Sequence, residues 1–377
     1  MREDGAMERI KVMQIIARMN VGGPAVIVAE LMRGIDTTHF EQILVTGYCD
    51  SNEADYLDEV ATDIKATRIA GLGRSVSPLA DLRAFFSLIS MIRKYQPDVI
   101  HTHTAKAGVL GRLASLLAGR GAVRVHTFHG HLLHGYFSPL KTKLVIAIEK
   151  FFASRTEVLI AIGNQVKDEL LAAGIGRTQQ FRVFFPGLPE AKEISRSDAR
   201  RQLGWAQDGI SIVFVGRLTQ IKRPDRLLDI AAQVHGAEFV IAGEGELFEE
   251  SKERASREKL PATFLGWRKD IELILAASDI AILTSDNEGI PLTLIQAAQA
   301  GLPIVATKVG SISDIVVEGG NGFLLPTNAD VMAKAVQELV NRPEVRDAMG
   351  RYGKEHAHQF FSLQRMVNDH SSLYLSL

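Results

Sequence analysis

The sequence predicts an α/β protein built as two doubly wound, parallel-sheet domains. Short β-branched runs alternate with amphipathic segments over almost the whole chain. The runs are apolar on both faces, as strands covered by helices on each side must be. A chain of 377 residues also exceeds one ordinary core, and a breaker-rich stretch divides it near the middle.

In the first half the predicted strands are Lys11–Ile16, Gln42–Thr46, Val99–His101, Val123–Phe128 and Val158–Ile162. Segments such as Pro78–Tyr95 and Ala105–Ala118 lie between them and repeat apolar residues at helical spacing. The stretch 185–196 carries Pro186, Gly187 and Pro189 and then a run of charges, so the boundary is placed at Gly187. Beyond it the strands are Ser211–Val215, Glu238–Ala242, Thr263–Leu265, Ile280–Leu283 and Pro303–Thr307. Helices are expected over Asp225–Val234, Lys269–Ala276 and Pro291–Ala300. The domains are therefore 1–187 and 188–355. Residues 356–377 form a last amphipathic helix that could pack on either domain, the first being the expected one.

Composition narrows the function. Formal net charge is -1, so no global field recruits nucleic acid. Cys49 is the single cysteine, which excludes an intrachain disulfide and disfavours a thiolate metal site. The polar stretch Met1–Glu8 lacks a signal-peptide core, and no run approaches ~18 apolar residues. A cytoplasmic setting is expected, with attachment to the inner face of a membrane left open.

Ligands of doubly wound sheets gather at the carboxyl ends of strands, and four motifs sit there. Gly216-Arg217-Leu218, with Lys222 five residues after Arg217, follows the strand ending at Val215. Gly216 permits close backbone approach, and two cations beside a helix N-terminus suit a diphosphate. Solvated cations are the plainer alternative. Ser285 to Pro291 follows the strand ending at Leu283: the amides of Gly289, Ile290 and Leu292 could meet an anion, while Glu288 grips sugar hydroxyls. Helix capping by Asp286 and Glu288 is the competing reading. Six of the eleven histidines lie between His101 and His134. His101, His103, His129 and His131 have metal-ligand spacing, yet no carboxylate partners follow; hydrogen bonding to substrate, with one histidine at the reacting centre, is the reading preferred over a metal. Finally, Gly22 and Gly23 follow the first strand and suit contact with an acceptor or a phosphate, or simply a tight turn. Gly71-Leu72-Gly73 and Gly243-Glu244-Gly245 lack the third glycine of a dinucleotide fingerprint, so no nicotinamide cofactor is expected.

Taken in order, Val215 to Leu218, Lys222, Ala242 to Gly245, Phe264 to Trp267, Ser285 to Pro291, Ala300 to Thr307 and Gly319 to Phe323 resemble glycosyltransferase family 4, a group of retaining GT-B enzymes. The resemblance implies the GT-B fold, two Rossmann-like domains facing across a cleft, and a nucleotide-diphosphate sugar as donor substrate, with no cofactor and no metal. It implies that Arg217 and Lys222 neutralise the leaving diphosphate. Glu288 would hold a hydroxyl of the transferred sugar, Gly289 to Leu292 would supply amides, and Gly266-Trp267 would border the base. In the first domain Gly22, Gly23 and His103 would face acceptor and phosphates, and His129 the sugar. The second acid of the family's Glu-x7-Glu motif is here Gln296, which keeps one accepted hydrogen bond and loses the charge. No Asp-x-Asp metal motif is present.

The segment from Leu132 to Leu140, followed by Lys141, Lys143, Lys150 and Arg155 among apolar residues, reads either as a bilayer-resting helix or as a core helix with snorkelling lysines. Bilayer contact would point to a lipid-linked saccharide acceptor in cell-envelope or exopolysaccharide synthesis. Three other functions stay open: a sugar-nucleotide epimerase, a metal-dependent hydrolase using His101, His103 and His129, and a non-catalytic nucleotide-sugar-binding partner.

Overall fold

A computed structural model describes residues 8–51, 53–119, 121–130 and 139–377. The chain divides into two compact units, the first made of 1–187 with 363–377, the second of 188–362.

The first unit holds seven strands: β1 (Ile10–Ile16), β2 (Phe40–Thr46), β3 (Ala66–Arg68), β4 (Val99–His103), β5 (Val123–Phe128), β6 (Val158–Ala161) and β7 (Phe181–Val183). They form one parallel sheet in the order β3-β2-β1-β4-β5-β6-β7. Central strands are buried on both faces, with Val12, Met13, Ile15 and Ile16 of β1 all fully enclosed. The helix Pro78–Tyr95 begins on a proline, where a missing N–H costs nothing, and the helix Ala105–Ala118 stops at Gly119 in the left-handed region. Arg112 of the latter, almost wholly buried, donates to Glu149 at 2.7 Å and so ties this helix to the helix Pro139–Ala153.

The second unit holds β8 (Ile210–Val215), β9 (Ala237–Ala242), β10 (Ala262–Gly266), β11 (Ile280–Leu283), β12 (Ile304–Thr307) and β13 (Gly322–Leu325). Its parallel sheet runs β10-β9-β8-β11-β12-β13. Arg200, 1% exposed, donates to Asp279 at 2.7 Å and pins the unit's first helix, Arg196–Leu203, to the start of β11.

The segment 356–377, expected as one piece, is divided at Ser362. The helix Pro343–Phe361 stays with the second unit, and the helix Leu363–Leu375 belongs to the first. There it packs on the helix Gly23–Gly34 and buries Met366, Val367, His370, Leu373 and Tyr374.

In each sheet the strand order reverses once, between β1 and β4 and between β8 and β11. Crossovers leave these strands toward opposite faces, which opens a crevice at their carboxyl ends. The glycine loop and His103 follow β1 and β4; Gly216 and Ser285 to Pro291 follow β8 and β11.

Candidate active site

In the second unit the loop after β8 is held in backbone register with the loop after β9. Gly216 donates to Ala242 at 3.0 Å and Leu218 to the Glu244 carbonyl at 2.9 Å. A side chain on Gly243 would stand 2.0 Å from the Gly216 carbonyl oxygen, so the Gly243-Glu244-Gly245 glycines serve this approach of two backbones. Arg217 is exposed, and its guanidinium has no partner among the described residues.

Lys222 ends a short turn, Gln220–Lys222, and its ammonium pairs with Glu288 Oε1. Ser285 Oγ, fully buried, donates to the same oxygen at 2.5 Å. Thr284 Oγ1 donates to the Lys222 carbonyl at 2.9 Å, and the Asp286 amide to the Ile221 carbonyl at 2.8 Å. The two loops that carry the predicted cation and acid are thus fastened directly to one another.

Capping accounts for neither acid. The helix Leu292–Gln299 has Pro291 as its cap residue and receives no side-chain cap. Pro291, expected inside the first turn, stands one place earlier, as the extended residue just before it. Asp286 is instead gripped by Arg226 at 2.7 Å and Arg223 at 3.0 Å. Burial raises its pKa, but these two guanidiniums outweigh that and hold it below the ordinary carboxylate value. The amides of Gly289, Ile290 and Leu292 donate to none of the described residues. Gln296 lies half-buried on the same helix, its side-chain amide free of hydrogen bonds to the described residues. Gly266 is left-handed at φ 67°, and Trp267 after it is 42% exposed with the Lys269 ammonium 5.2 Å above the ring.

In the first unit Gly22 precedes the helix Gly23–Gly34. A side chain at Gly22 would meet nothing closer than the Asn20 carbonyl at 3.8 Å, so the protein's own packing does not demand glycine there.

The histidines depart from expectation. His101 and His103 do share a face, their ring centroids 4.1 Å apart, but both are fully buried. His101 Nδ1 lies 2.5 Å from the Tyr374 hydroxyl and its Nε2 2.7 Å from Thr127 Oγ1. His103 Nε2 lies 2.9 Å from Gln14 Oε1 and its Nδ1 2.9 Å from His129 Nε2. With both nitrogens of each ring committed to protein groups, His103 does not face acceptor or phosphate, as the sequence had suggested; it stands behind His129. Burial drives the pKa of His101, His103 and His126 far down, and the same desolvation takes His129 to about 3 and His370 to about 4. These rings are neutral at pH 7. His129, just after β5, is half-buried, whereas His101, His103, His126 and His370 are buried. His131 and His134 lie outside the described residues. No group of three or more histidine, cysteine or acidic side chains suited to a metal occurs among the described residues.

Gln14 and Tyr374 escaped sequence patterning. The available signal was a lone glutamine inside the otherwise apolar run from Val12 to Ile16, since a polar side chain in a buried strand needs a partner.

Comparison with known proteins agrees with this geometry. Residues 195–356 match the family model "Glycosyl transferases group 1", and residues 22–186 match "Glycosyl transferase 4-like domain". A UDP-Gal:alpha-D-GlcNAc-diphosphoundecaprenol alpha-1,3-galactosyltransferase of Escherichia coli is 29% identical over 341 residues, 86% of each chain. The putative glycosyltransferase EpsD of Bacillus subtilis is 28% identical over 313 residues, 78% of this chain and 80% of its own. The crystal structure of Anabaena Alr3699/HepE with UDP and glucose superposes with a TM-score of 0.83 at 22% identity, covering 98% of this chain and 100% of that one. Two Rossmann-like parallel-sheet units, the matched motifs at their strand ends and both family models together make this chain a GT-B glycosyltransferase of family 4, the glycosyl transferases group 1.

Proposed function

We propose that the chain is a retaining, metal-independent hexosyltransferase that moves a sugar from a nucleotide-diphosphate sugar to a hydroxyl of a saccharide or lipid-linked saccharide in envelope or exopolysaccharide synthesis. The observation that carries it is the Lys222–Glu288 pair beside the unspent amides of Gly289, Ile290 and Leu292. In this reading the diphosphate takes over Lys222 and meets Arg217, and Glu288, released, accepts from a hydroxyl of the sugar. The C1–O bond to the diphosphate breaks while the acceptor oxygen bonds C1 on the same face. The acceptor proton passes to the departing phosphate oxygen. Cations and amides fixed in advance stabilise that developing charge without reorganising. A proton NMR spectrum of the first-formed product settles the stereochemistry: an anomer opposite to the donor's ends the retaining reading. The hydrolase reading is disfavoured because both ring nitrogens of His101 and of His103 are hydrogen-bonded, to Tyr374, Thr127, Gln14 and His129.

Gln296 is assigned to the nucleotide ribose. Gln296→Glu restores a charged acceptor, and such bonds exceed neutral ones by about 1–2 kcal/mol. Titration calorimetry across UDP, GDP and ADP is expected to show roughly tenfold tighter binding of the preferred nucleotide. Unchanged affinity would move the ribose elsewhere.

Membrane association rests on the helix Pro139–Ala153. Leu140, Leu144, Ile148 and Phe151 are exposed at helical spacing, with Lys141, Lys143, Lys150 and Arg155 exposed around them. Its one acid, Glu149, is turned inward onto Arg112. An apolar stripe flanked by cations alone fits an anionic bilayer, each cation adding about 1 kcal/mol near the surface. No helix among the described residues is long and apolar enough to cross a membrane. Sedimentation with anionic liposomes at low salt is expected, lost at high salt and in Leu144→Asp. Full recovery in the supernatant at low salt would remove the bilayer from the proposal.

A further inference from the structure

We infer that Gln14 is a positioning residue that holds His129 in its Nε2–H tautomer, so that the ring offers a substrate hydroxyl only a lone pair. This rests on the proposed placement of His129 at the sugar. The Leu31 carbonyl can only accept, so the Gln42 nitrogen that reaches it at 3.4 Å orients the Gln42 amide. The Gln42 oxygen then faces the Gln14 nitrogen, also at 3.4 Å. That nitrogen makes a second bond, at 3.2 Å, to the Tyr374 hydroxyl. The Gln14 oxygen is left facing His103 Nε2 at 2.9 Å, which must therefore carry its proton.

The rest follows from neutrality. His103, fully buried and far below its ordinary pKa, carries one proton only. Its Nδ1 accepts, so His129 Nε2, 2.9 Å away, donates. His129 is itself neutral, and Nδ1 is bare. That atom is buried without a hydrogen-bond partner among the described residues, an acceptor whose need a hydroxyl donor would satisfy. The same glutamine sets a second branch: Tyr374, having accepted from Gln14, donates to His101 Nδ1, and His101 Nε2 donates to Thr127. Three histidines, His103, His129 and His101, thus take their tautomers from one amide.

The test is spectroscopic. The ring nitrogens of 15N-histidine-labelled protein report tautomer directly, with His129 assigned from the His129→Asn spectrum. Wild type is expected to show His129 as a single Nε2–H form at pH 7. An Nδ1–H form or an imidazolium overturns the inference without recourse to any variant. Gln14→Met fills the same space without polarity, and His129 is then expected to populate both tautomers. Its kcat is expected to fall roughly tenfold to a hundredfold, as when an outer partner orienting a histidine is lost, with donor KM little changed. A Gln14→Met protein that keeps one tautomer and full kcat also overturns it. His129→Ala separates the underlying placement: undiminished transfer there removes His129 from the sugar, whatever its tautomer.

Discussion

Lys222→Ala is expected to lower kcat by a factor on the order of 10²–10³, the usual cost of removing one fixed group that meets transition-state charge. Steady-state transfer, with thermal unfolding to confirm an intact fold, measures it. The pair with Glu288 adds a second consequence. Deleting the ammonium leaves that carboxylate, only 10% exposed, without its cation where the donor phosphates are proposed to bind. Donor affinity is expected to fall as well, and Lys222→Ala/Glu288→Gln should recover part of the binding while turnover stays low. Near-normal turnover by the single variant would take Lys222 out of leaving-group departure.

Gly310→Ala is the second large effect. Gly310 sits at φ 53°, and a methyl there would stand 1.7 Å from the Glu288 carbonyl oxygen. The conformation alone costs about 1–3 kcal/mol for a residue with a side chain. The collision must displace the backbone that carries Glu288, and a misplacement near 1 Å at a reacting centre costs roughly a hundredfold in rate. A fall of that order in kcat/KM is expected, with a lowered Tm. Gly319→Ala is the control: Gly319 has φ 71° and nothing within 4 Å of the added methyl. It should lose stability alone. Equal kinetic losses in both variants would show that unfolding, and not displacement of Glu288, is responsible.

Ten strands were legible from β-branched runs, most within two residues of their observed ends. The three that were missed, Ala66–Arg68, Phe181–Val183 and Gly322–Leu325, all lie at sheet edges, where a strand is short and less enclosed. β4 runs on through His103, past its expected end at His101, because those histidines are core residues whose polarity is satisfied by other core residues. The cation and acid of the second unit were legible because loop chemistry is local: a glycine, two cations and an acid at strand ends speak for themselves. Their direct pairing was not, since Lys222 and Glu288 meet only through the fold. Gln14 and Tyr374 were illegible for the same reason, being partners from opposite ends of the chain, 3.2 Å apart.

That last pairing bears on how the protein is made. The first unit is discontinuous, its final helix encoded after the whole of the second. On the ribosome, at roughly 5–20 residues per second, residues 8–187 emerge without Tyr374 and wait while the intervening residues are translated. During that interval His101 lacks its phenol and the helix Gly23–Gly34 its cover, so the part synthesised first is completed last.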